Sequence, residues 1–268
     1  MVLVDEGEFM LIAVVIPVFN EAKWITRAVD RIEAVRPPLM GRGQAGAMRC
    51  ERVLVLVDDG STDGSAEIVR ELGNRVSVKS LSHASNRGKG AALRTGIAGA
   101  LREGADVVLI HDADLEYDPE DHEAMLRPIL DGRADAVIGS RFLGQTHRVL
   151  YYWHSVANRI ITTFSNMLTN LNLTDIECCL KAFRREVVET ITIEEDRFGV
   201  EPELVAKLAG LHLLPAGEGG ATPPPPAPAR IYEVPVSYAG RTYAEGKKIG
   251  WKDGVQALAA IVKYNVFR

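Results

Sequence analysis

Three acids on alternate positions, Asp112, Asp114 and Glu116, follow directly on the apolar run Val107-Val108-Leu109-Ile110. If the chain stays extended past that strand, residues two apart share a face and the three carboxylates converge. Carboxylates held that close repel unless one is protonated or a cation sits among them. Hard oxygen donors at the carboxyl end of a strand suit Mg²⁺ or Mn²⁺ holding a substrate phosphate. A solvated acidic turn ending at Asp118-Pro119 is the alternative for the local pattern.

Two further motifs stand in the same relation to hydrophobic runs. Leu11 to Ile16 leads into Pro17-Val18-Phe19-Asn20-Glu21, and Val53 to Val57 into Asp58-Asp59-Gly60-Ser61-Thr62-Asp63-Gly64-Ser65. Only one of Asp58 and Asp59 can point along the outer face of its strand. A carboxylate there can accept the ring N–H of uracil or the N–H pair of guanine; turn and cap acids around Gly60 are the alternative. Asn86-Arg87-Gly88-Lys89-Gly90 is a glycine turn at a helix start, whose backbone N–H groups can face an anion. It lacks the spacing of a P-loop, and no dinucleotide-binding glycine fingerprint follows a strand, so a tight structural turn competes with that reading.

The elements that must position these groups alternate. Ile25, Ala28, Val29, Ile32 and Val35 form one helical stripe, Ala66 to Leu72 a second helix with Asp63 or Ser65 as N-cap, and Ala91 to Glu103 a third, with a strand from Val76 to Leu81. Such alternation predicts an α/β domain with a mostly parallel sheet flanked by helices, and ligands beyond the carboxyl ends of the strands. After Arg141 the pattern changes. Leu150, Trp153, Ala157, Ile160, Phe164, Met167 and Leu171 recur at helical spacing, opposite a face of Ser, Thr and Asn charged only at Arg148 and Arg159. That helix reads as a core element, as a homodimer contact, or as an amphipathic helix lying in a lipid interface. Asp175 to Arg185, a helix from Glu201 to Ala209, a strand from Ile231 to Tyr238 and a helix from Asp253 to Tyr264 complete the chain. Residues 36–48 read as a mobile glycine-rich loop, and Pro215 to Ala229 as a linker or disordered insertion.

Composition narrows the function class. The 268 residues are 47% hydrophobic and 25% charged, those of an ordinary globular protein, and the net charge of −5 argues against a nucleic-acid binder. Three cysteines, with Cys178 and Cys179 adjacent, match neither a zinc spacing nor a disulfide framework and favour a reducing compartment, as small buried residues. No stretch reaches the roughly 18 apolar residues of a transmembrane helix. Asp5 and Glu6 stand where a signal peptide carries bases. The expectation is a cytoplasmic protein, soluble or peripheral at the membrane face.

The motifs beginning at Val14, Val57 and Asn86, with Asp112-Ala113-Asp114, stand in the order of family-2 glycosyltransferases, and the sequence resembles that family and its GT-A, Rossmann-like fold. Gly139-Ser140-Arg141-Phe142, the run from Ile176 to Arg184, Phe198 to Glu203, and Glu233-Val234-Pro235-Val236 are similar to the dolichyl- and polyprenyl-phosphate mannose and glucose synthases. The resemblance implies one domain over residues 1–268, with a nucleotide-sugar and metal half at 10–145. An acceptor half at 146–268 then carries a Pro-rich loop at 215–229. Some members carry C-terminal membrane spans; none is expected here.

Residue by residue, the resemblance implies that Asp112 and Asp114 bind Mg²⁺ or Mn²⁺, with Glu116 where a further ligand occurs. Pro17, Phe19, Glu21 and one of Asp58 and Asp59 would line the nucleotide, and Gly88 and Lys89 belong to the donor-side glycine turn. Arg141 would lie near the phosphates, Arg241 and Lys247 on a loop closing over the diphosphate, and Lys181 where relatives have an arginine. The implied reaction is inverting transfer of a hexose from a nucleotide sugar, of the GDP-mannose or UDP-glucose type, to a lipid phosphate. A soluble hydroxyl acceptor is the alternative and would need Glu201 or Glu203 as base. A nucleotide-sugar-binding module without turnover is the third reading.

Overall fold

The three apolar runs that precede the acidic motifs lie side by side in one sheet. The computed structural model describes residues 9–39, 49–144, 148–149, 151–214, 225–241 and 251–267, with 251–253 by backbone alone. In chain order the strands are β1 (Phe9–Val18), β2 (Arg49–Asp58), β3 (Val78–Ser82), β4 (Val107–Ile110), β5 (Ala136–Ser140), β6 (Lys181–Arg184), β7 (His212–Leu213), β8 (Ala227–Pro228) and β9 (Ile231–Pro235). The helices are α1 (Ile25–Ala34), α2 (Ser65–Leu72), α3 (Lys89–Arg102), α4 (His122–Leu130), α5 (Tyr152–Thr169), α6 (Arg185–Thr190), α7 (Val200–Ala209) and α8 (Trp251–Val266). The seven-stranded sheet runs β3-β2-β1-β4-β6-β5-β9, parallel except for β6, which is antiparallel to both neighbours. The mostly parallel α/β expectation holds.

Successive residues of β1 feed opposite faces. Ala13 and Val15 join Val55, Ala92, Leu93 and Val108 in one core. Ile12, Val14 and Ile16 join Ile25, Val29, Ile32, Leu54, Val69 and Met125 in the other. Both faces are covered by helices, so the strands read as continuous apolar runs rather than alternating ones. The inner strands are thereby fixed, and their carboxyl ends, at Val18, Asp58 and Ile110, share one edge.

Helix α3 lies close on β1 and β2 because it is made of small residues: Gly90, Ala91, Ala92, Gly96, Gly99 and Ala100 are all buried. At the lower edge Asp135 gathers β5, β6 and β9, accepting from Arg184 Nη1 at 3.0 Å and from Arg230 N, Nε and Nη2 at 2.8, 3.0 and 2.8 Å.

Three local expectations need correction. Gly64, with φ 94°, is the N-cap residue of α2, while Asp63 accepts from Ser65 N at 3.0 Å. Part of the stretch read as a linker is ordered, since Ala227–Pro228 pairs with His212–Leu213; residues 215–224, 40–48 and Leu150 lie outside the described residues. The third concerns α5. It buries Asn158, Ile161, Thr162 and Ser165, and turns Tyr152, Trp153, Ile160 and Met167 outward. Trp153, Ala157, Ile160 and Met167 of the apolar stripe face solvent while Phe164 and Leu171 pack against the core beside the buried Ile161, so α5 is a core element along only part of that stripe. No helix among the described residues is long and apolar enough to cross a membrane.

The α3 approach can be tested at Gly96, where an added Cβ would run into Val15 Cγ1 and lie 3.1 Å from Val57 Cγ2. Overpacking costs about 1–3 kcal/mol, against about 1 kcal/mol gained from helix propensity. Gly96→Ala is expected to lower stability by up to about 2 kcal/mol in urea unfolding.

Candidate active site

Beyond Ile110 the chain does not stay extended. Leu115 takes a left-handed φ of 62°, uncommon for a bulky residue, and Glu116 N donates to Asp114 Oδ1 at 3.1 Å. The convergence expected from strand alternation is therefore produced by a turn, and it divides the acids. Asp112 faces Lys89 Nζ at 3.0 Å. Asp114 and Glu116 face Arg241, just past β9: Nη2 is 2.8 Å from Asp114 Oδ2 and Nε 3.1 Å from Glu116 Oε1. The same guanidinium reaches Glu21 Oε2 at 3.2 Å. Glu116 also accepts from Arg241 N at 2.9 Å and Tyr238 Oη at 2.5 Å.

One guanidinium thus serves three carboxylates. Burial, reinforced by Glu116 and Asp112 and opposed by Arg241, lifts the Asp114 carboxyl to about 7. Burial also opposes the charge on Asp112, yet Lys89, the Cys179 thiol and His111 hold that carboxyl below its usual range. His111 itself is neutral: burial drops it to about 4, and its Nδ1 lies 3.0 Å from Nε2 of the equally buried His122. Among the described residues no three His, Cys, Asp or Glu side chains are placed so that together they could hold a metal ion. The donor chemistry of the acidic motif still suits a hard divalent cation, since Asp114 and Glu116 offer carboxylate oxygens shared on one arginine and Asp112 lies two residues away, turned in this structure to Lys89.

On the nucleotide side the two aspartates part company. Asp59 is used up, accepting from Arg87 N and Gly88 N at 3.0 and 2.7 Å, with His83 Nδ1 at 2.6 Å. The glycine turn does bind an anion, but the anion is Asp59; this corrects its reading as a cradle for a bound phosphate. Gly88 (φ 105°) and Gly90 serve close packing, since a Cβ on either would collide with the carbonyls of Asp196 and Glu195. Asp58 remains open. It receives only long contacts of 3.4 Å from Ser61 N and lines a cavity of about 400 Å³ with Gly60, Ser61, Ser82 and His83. Pro17 and Phe19 are half-buried at the end of β1, and Glu21 is buried. The loops after β1 and β2 interlock, Thr62 N donating to Asn20 Oδ1 at 2.8 Å and Glu21 N to Ser65 Oγ at 2.8 Å.

On the other side of Asp112, Lys89 is a hub. Its Nζ is 2.9 Å from Cys179 Sγ and 3.1 Å from Glu201 Oε1 as well as 3.0 Å from Asp112. Arg141 is fully engaged, with Nε and Nη2 at 2.6 and 2.8 Å from Asp175 and Nη2 at 3.2 Å from Asn158 Oδ1. Lys181 is buried and donates to the carbonyls of Ile176 and Cys178, so it does not point at a phosphate. Glu203 accepts from Glu194 N, Glu195 N and Lys207 Nζ at 2.6, 2.8 and 2.7 Å, which leaves it no capacity as a base. Glu201 keeps Oε2 buried without a partner. Lys247 lies outside the described residues.

Glu177 escaped the sequence reading. Burial and the nearby Glu201 carboxylate push it up to about 8, and its Oε1 is sealed from solvent with no partner. It sits in an irregular loop without periodicity, so only its acidity among apolar neighbours could have marked it.

Comparison with known proteins agrees with this geometry. The model for "Glycosyl transferase family 2" matches residues 13–192. An uncharacterised protein of Methanocaldococcus jannaschii is 30% identical over 207 residues, 75% of this chain and 78% of that one. The polyprenol monophosphomannose synthase of Mycolicibacterium smegmatis is 32% identical over 185 residues, 67% of this chain but only 64% of the synthase. Among solved structures, glucosyl-3-phosphoglycerate synthase from Mycobacterium tuberculosis, crystallised with Mn²⁺, uridine diphosphate and glucosyl-3-phosphoglycerate, superposes with a TM-score of 0.65. It is 17% identical, over 96% of this chain and 80% of that one, a likeness of fold.

The raised carboxyls predict the pH dependence of stability. A carboxyl that holds its proton more tightly in the fold than in the unfolded chain stabilises the fold while protonated, and that contribution is lost as pH rises through the folded value. For Asp114 and Glu177, lifted to about 7 and about 8, the window runs from the ordinary carboxylate range upward. Metal-free protein is expected to lose stability in urea melts between about pH 5 and pH 8. Glu177→Gln should flatten the upper part of that slope.

Proposed function

We propose that this chain, which belongs to glycosyl transferase family 2 and has its GT-A fold, is a metal-dependent inverting hexosyltransferase acting on a polyprenyl phosphate. The observation that carries the donor half is the carboxylate cluster on Arg241, beside a cavity with an open carboxylate at Asp58. A divalent ion held by Asp112 and Asp114, with Glu116 as a further ligand, would supply positive charge to the diphosphate of the donor. Asp58 would accept from the N–H of the base, with Pro17 and Phe19 flanking it.

With Asp114 and Glu116 engaged elsewhere, the Arg241 guanidinium is freed to face the diphosphate and, with Lys247, to stabilise charge on the leaving group. An acceptor phosphate oxygen forms the new bond at C1 of the hexose while the bond from C1 to the diphosphate breaks, its electron pair leaving with the nucleotide. That oxygen is already anionic near neutral pH, so no side chain need remove a proton. Were the acceptor a hydroxyl instead, a base would be needed, and of the two glutamates named from the sequence only Glu201 has an open oxygen.

Support for a lipid acceptor comes from the name of the Mycolicibacterium relative and from α5. That helix contains no acid, and its outward face carries Tyr152, Trp153, Ile160 and Met167, from 59% to 75% exposed, with one cation, Arg159. Aromatic anchors, aliphatic side chains and a lone arginine suit a headgroup boundary. A homodimer contact would cover the same residues and is the competing use of that face.

Two measurements test the proposal. Polyprenyl phosphate incubated with radiolabelled UDP- and GDP-hexoses and Mn²⁺ should become labelled, and Asp114→Asn and Arg241→Ala should each cut the rate about 100-fold or more. An unlabelled lipid across the donor panel would refute the acceptor. In vesicle co-sedimentation with anionic lipid, the wild type should bind and Trp153→Glu/Ile160→Glu should not, while donor hydrolysis persists; a wild-type dimer that ignores vesicles would favour the competing use.

A further inference from the structure

Every nitrogen of the Arg241 guanidinium is set against an acid. Nη2 lies 2.8 Å from Asp114 Oδ2, Nε 3.1 Å from Glu116 Oε1 and Nη1 3.2 Å from Glu21 Oε2. The backbone N of the same residue donates to Glu116 Oε1 at 2.9 Å. At the other edge of the sheet the proportion is reversed, two arginines, Arg184 and Arg230, serving Asp135. Three acids converging on one singly charged group is an arrangement that a cation of higher charge would satisfy better.

The oxygens that face Arg241 are the ones the acids can release. On its other oxygen each acid of the motif is fixed independently of the guanidinium. Asp114 Oδ1 accepts from Glu116 N at 3.1 Å, and Glu116 Oε2 from Tyr238 Oη at 2.5 Å. Tyr238 is held in turn by its bridge to Tyr117, and Glu116 O accepts from Ala239 N at 2.8 Å. Asp114 and Glu116 therefore keep their places if the guanidinium departs, with Oδ2 and Oε1 turned to the space it leaves. Those two oxygens are, with Asp112, the donors that a divalent ion at the acidic motif would use. A guanidinium and a divalent ion on the same oxygens repel, so each excludes the other.

The exchange is unequal in its two forms. Displaced by a metal ion alone, Arg241 gives up three carboxylates for water. Displaced while a diphosphate is bound, it gains phosphate oxygens, to which the planar guanidinium fork is matched.

We propose that Arg241 is an internal stand-in for the metal, holding Glu21, Asp114 and Glu116 until a nucleoside diphosphate draws it away, so that metal and nucleotide bind tightly only together. This deepens the metal-dependent donor reading above and rests on it. The coupling between the two ligands runs through one side chain, and by linkage each tightens the other by the same factor. A bare divalent ion is bound poorly, and the arginine returns to the acids when the diphosphate leaves.

The test reads Mn²⁺ binding to the full chain from the electron paramagnetic resonance signal of the free ion, without nucleotide and with saturating UDP or GDP. In the wild type the nucleotide should tighten Mn²⁺ about tenfold or more. Arg241→Gln should bind Mn²⁺ alone about tenfold more tightly than the wild type, and the tightening by nucleotide should shrink by about the same factor. Phosphate oxygens that ligate the ion supply the coupling that remains. Arg241→Lys keeps the charge but cannot span three carboxylates, and should tighten Mn²⁺ alone about threefold. In thermal melts Mn²⁺ alone should raise the midpoint of Arg241→Gln more than that of the wild type. Unchanged or weaker binding of Mn²⁺ alone in Arg241→Gln would overturn the proposal and leave the metal reading standing. A tighter Arg241→Gln beside an Arg241→Lys that matches the wild type would assign the effect to net charge and overturn it too. If Arg241→Gln does not fold, tighter Mn²⁺ binding by Arg241→Lys supports the proposal and wild-type affinity overturns it. Absence of Mn²⁺ binding by the wild type even with nucleotide would remove the metal reading and this inference with it.

Discussion

The constraint on which the site depends is an excess of negative charge at the carboxyl edge of a buried parallel sheet. Glu21, Asp114 and Glu116 share the single guanidinium of Arg241. Taking carboxylates out of water is costly unless each is paired, and one cation cannot neutralise three. The lifted Asp114 carboxyl is the signature of that imbalance. The arginine, standing on the chain just beyond β9, ties that end of the sheet to the loops after β1 and β4. Arg241 therefore links two halves of the molecule through a contact that a bound metal would compete with.

The rest of the site is braced so that this imbalance does not collapse. Asp59 spends its whole capacity on the glycine turn and His83, which fixes the start of α3 and so the base of Lys89. Asn20 and Ser65 sew the loops after β1 and β2 together, which holds Glu21 under Arg241. Small residues let α3 lie on β1 and β2 without lifting it away from that edge. Beyond β5 the bidentate Arg141–Asp175 pair, extended to Asn158, pins α5 and the loop of Glu177 to the end of that strand. Two acidic pairs are divided in this way: Asp59 and Glu203 are consumed as braces, while Asp58 receives only long contacts and Glu201 pairs with Lys89.

That division of labour explains what the sequence could and could not reveal. Hydrophobic runs ending in acids marked β1, β2 and β4 and their shared edge, because period and strand-end chemistry are local properties. The identity of the free member of each acidic pair is not local. Asp59 is consumed by partners 24, 28 and 29 residues away and Glu203 by backbone N–H groups 8 and 9 residues away, and nothing in Asp58-Asp59 or Glu201-Pro202-Glu203 shows it. The antiparallel β6 was invisible for a related reason, being four residues whose pairing with β4 and β5 is decided by the sheet. The convergence of Asp112, Asp114 and Glu116 was right in outcome for Asp114 and Glu116 and wrong in cause, since a left-handed Leu115 brings it about.

Helix α5 carries the same lesson to the surface. Its apolar stripe is legible at helical spacing, and periodicity alone would bury it. The inward side is instead claimed by Asn158 and Thr162, which serve Arg141 Nη2 and Ile176 N, and these are the groups that steady the Glu177 loop. Once the polar face is needed inside, the apolar face has nowhere to go but out. The exposed aromatic stripe is thus a consequence of how this part of the fold is braced: the bonds from Asn158 and Thr162 that steady Arg141 and the loop of Glu177 also turn an apolar surface outward.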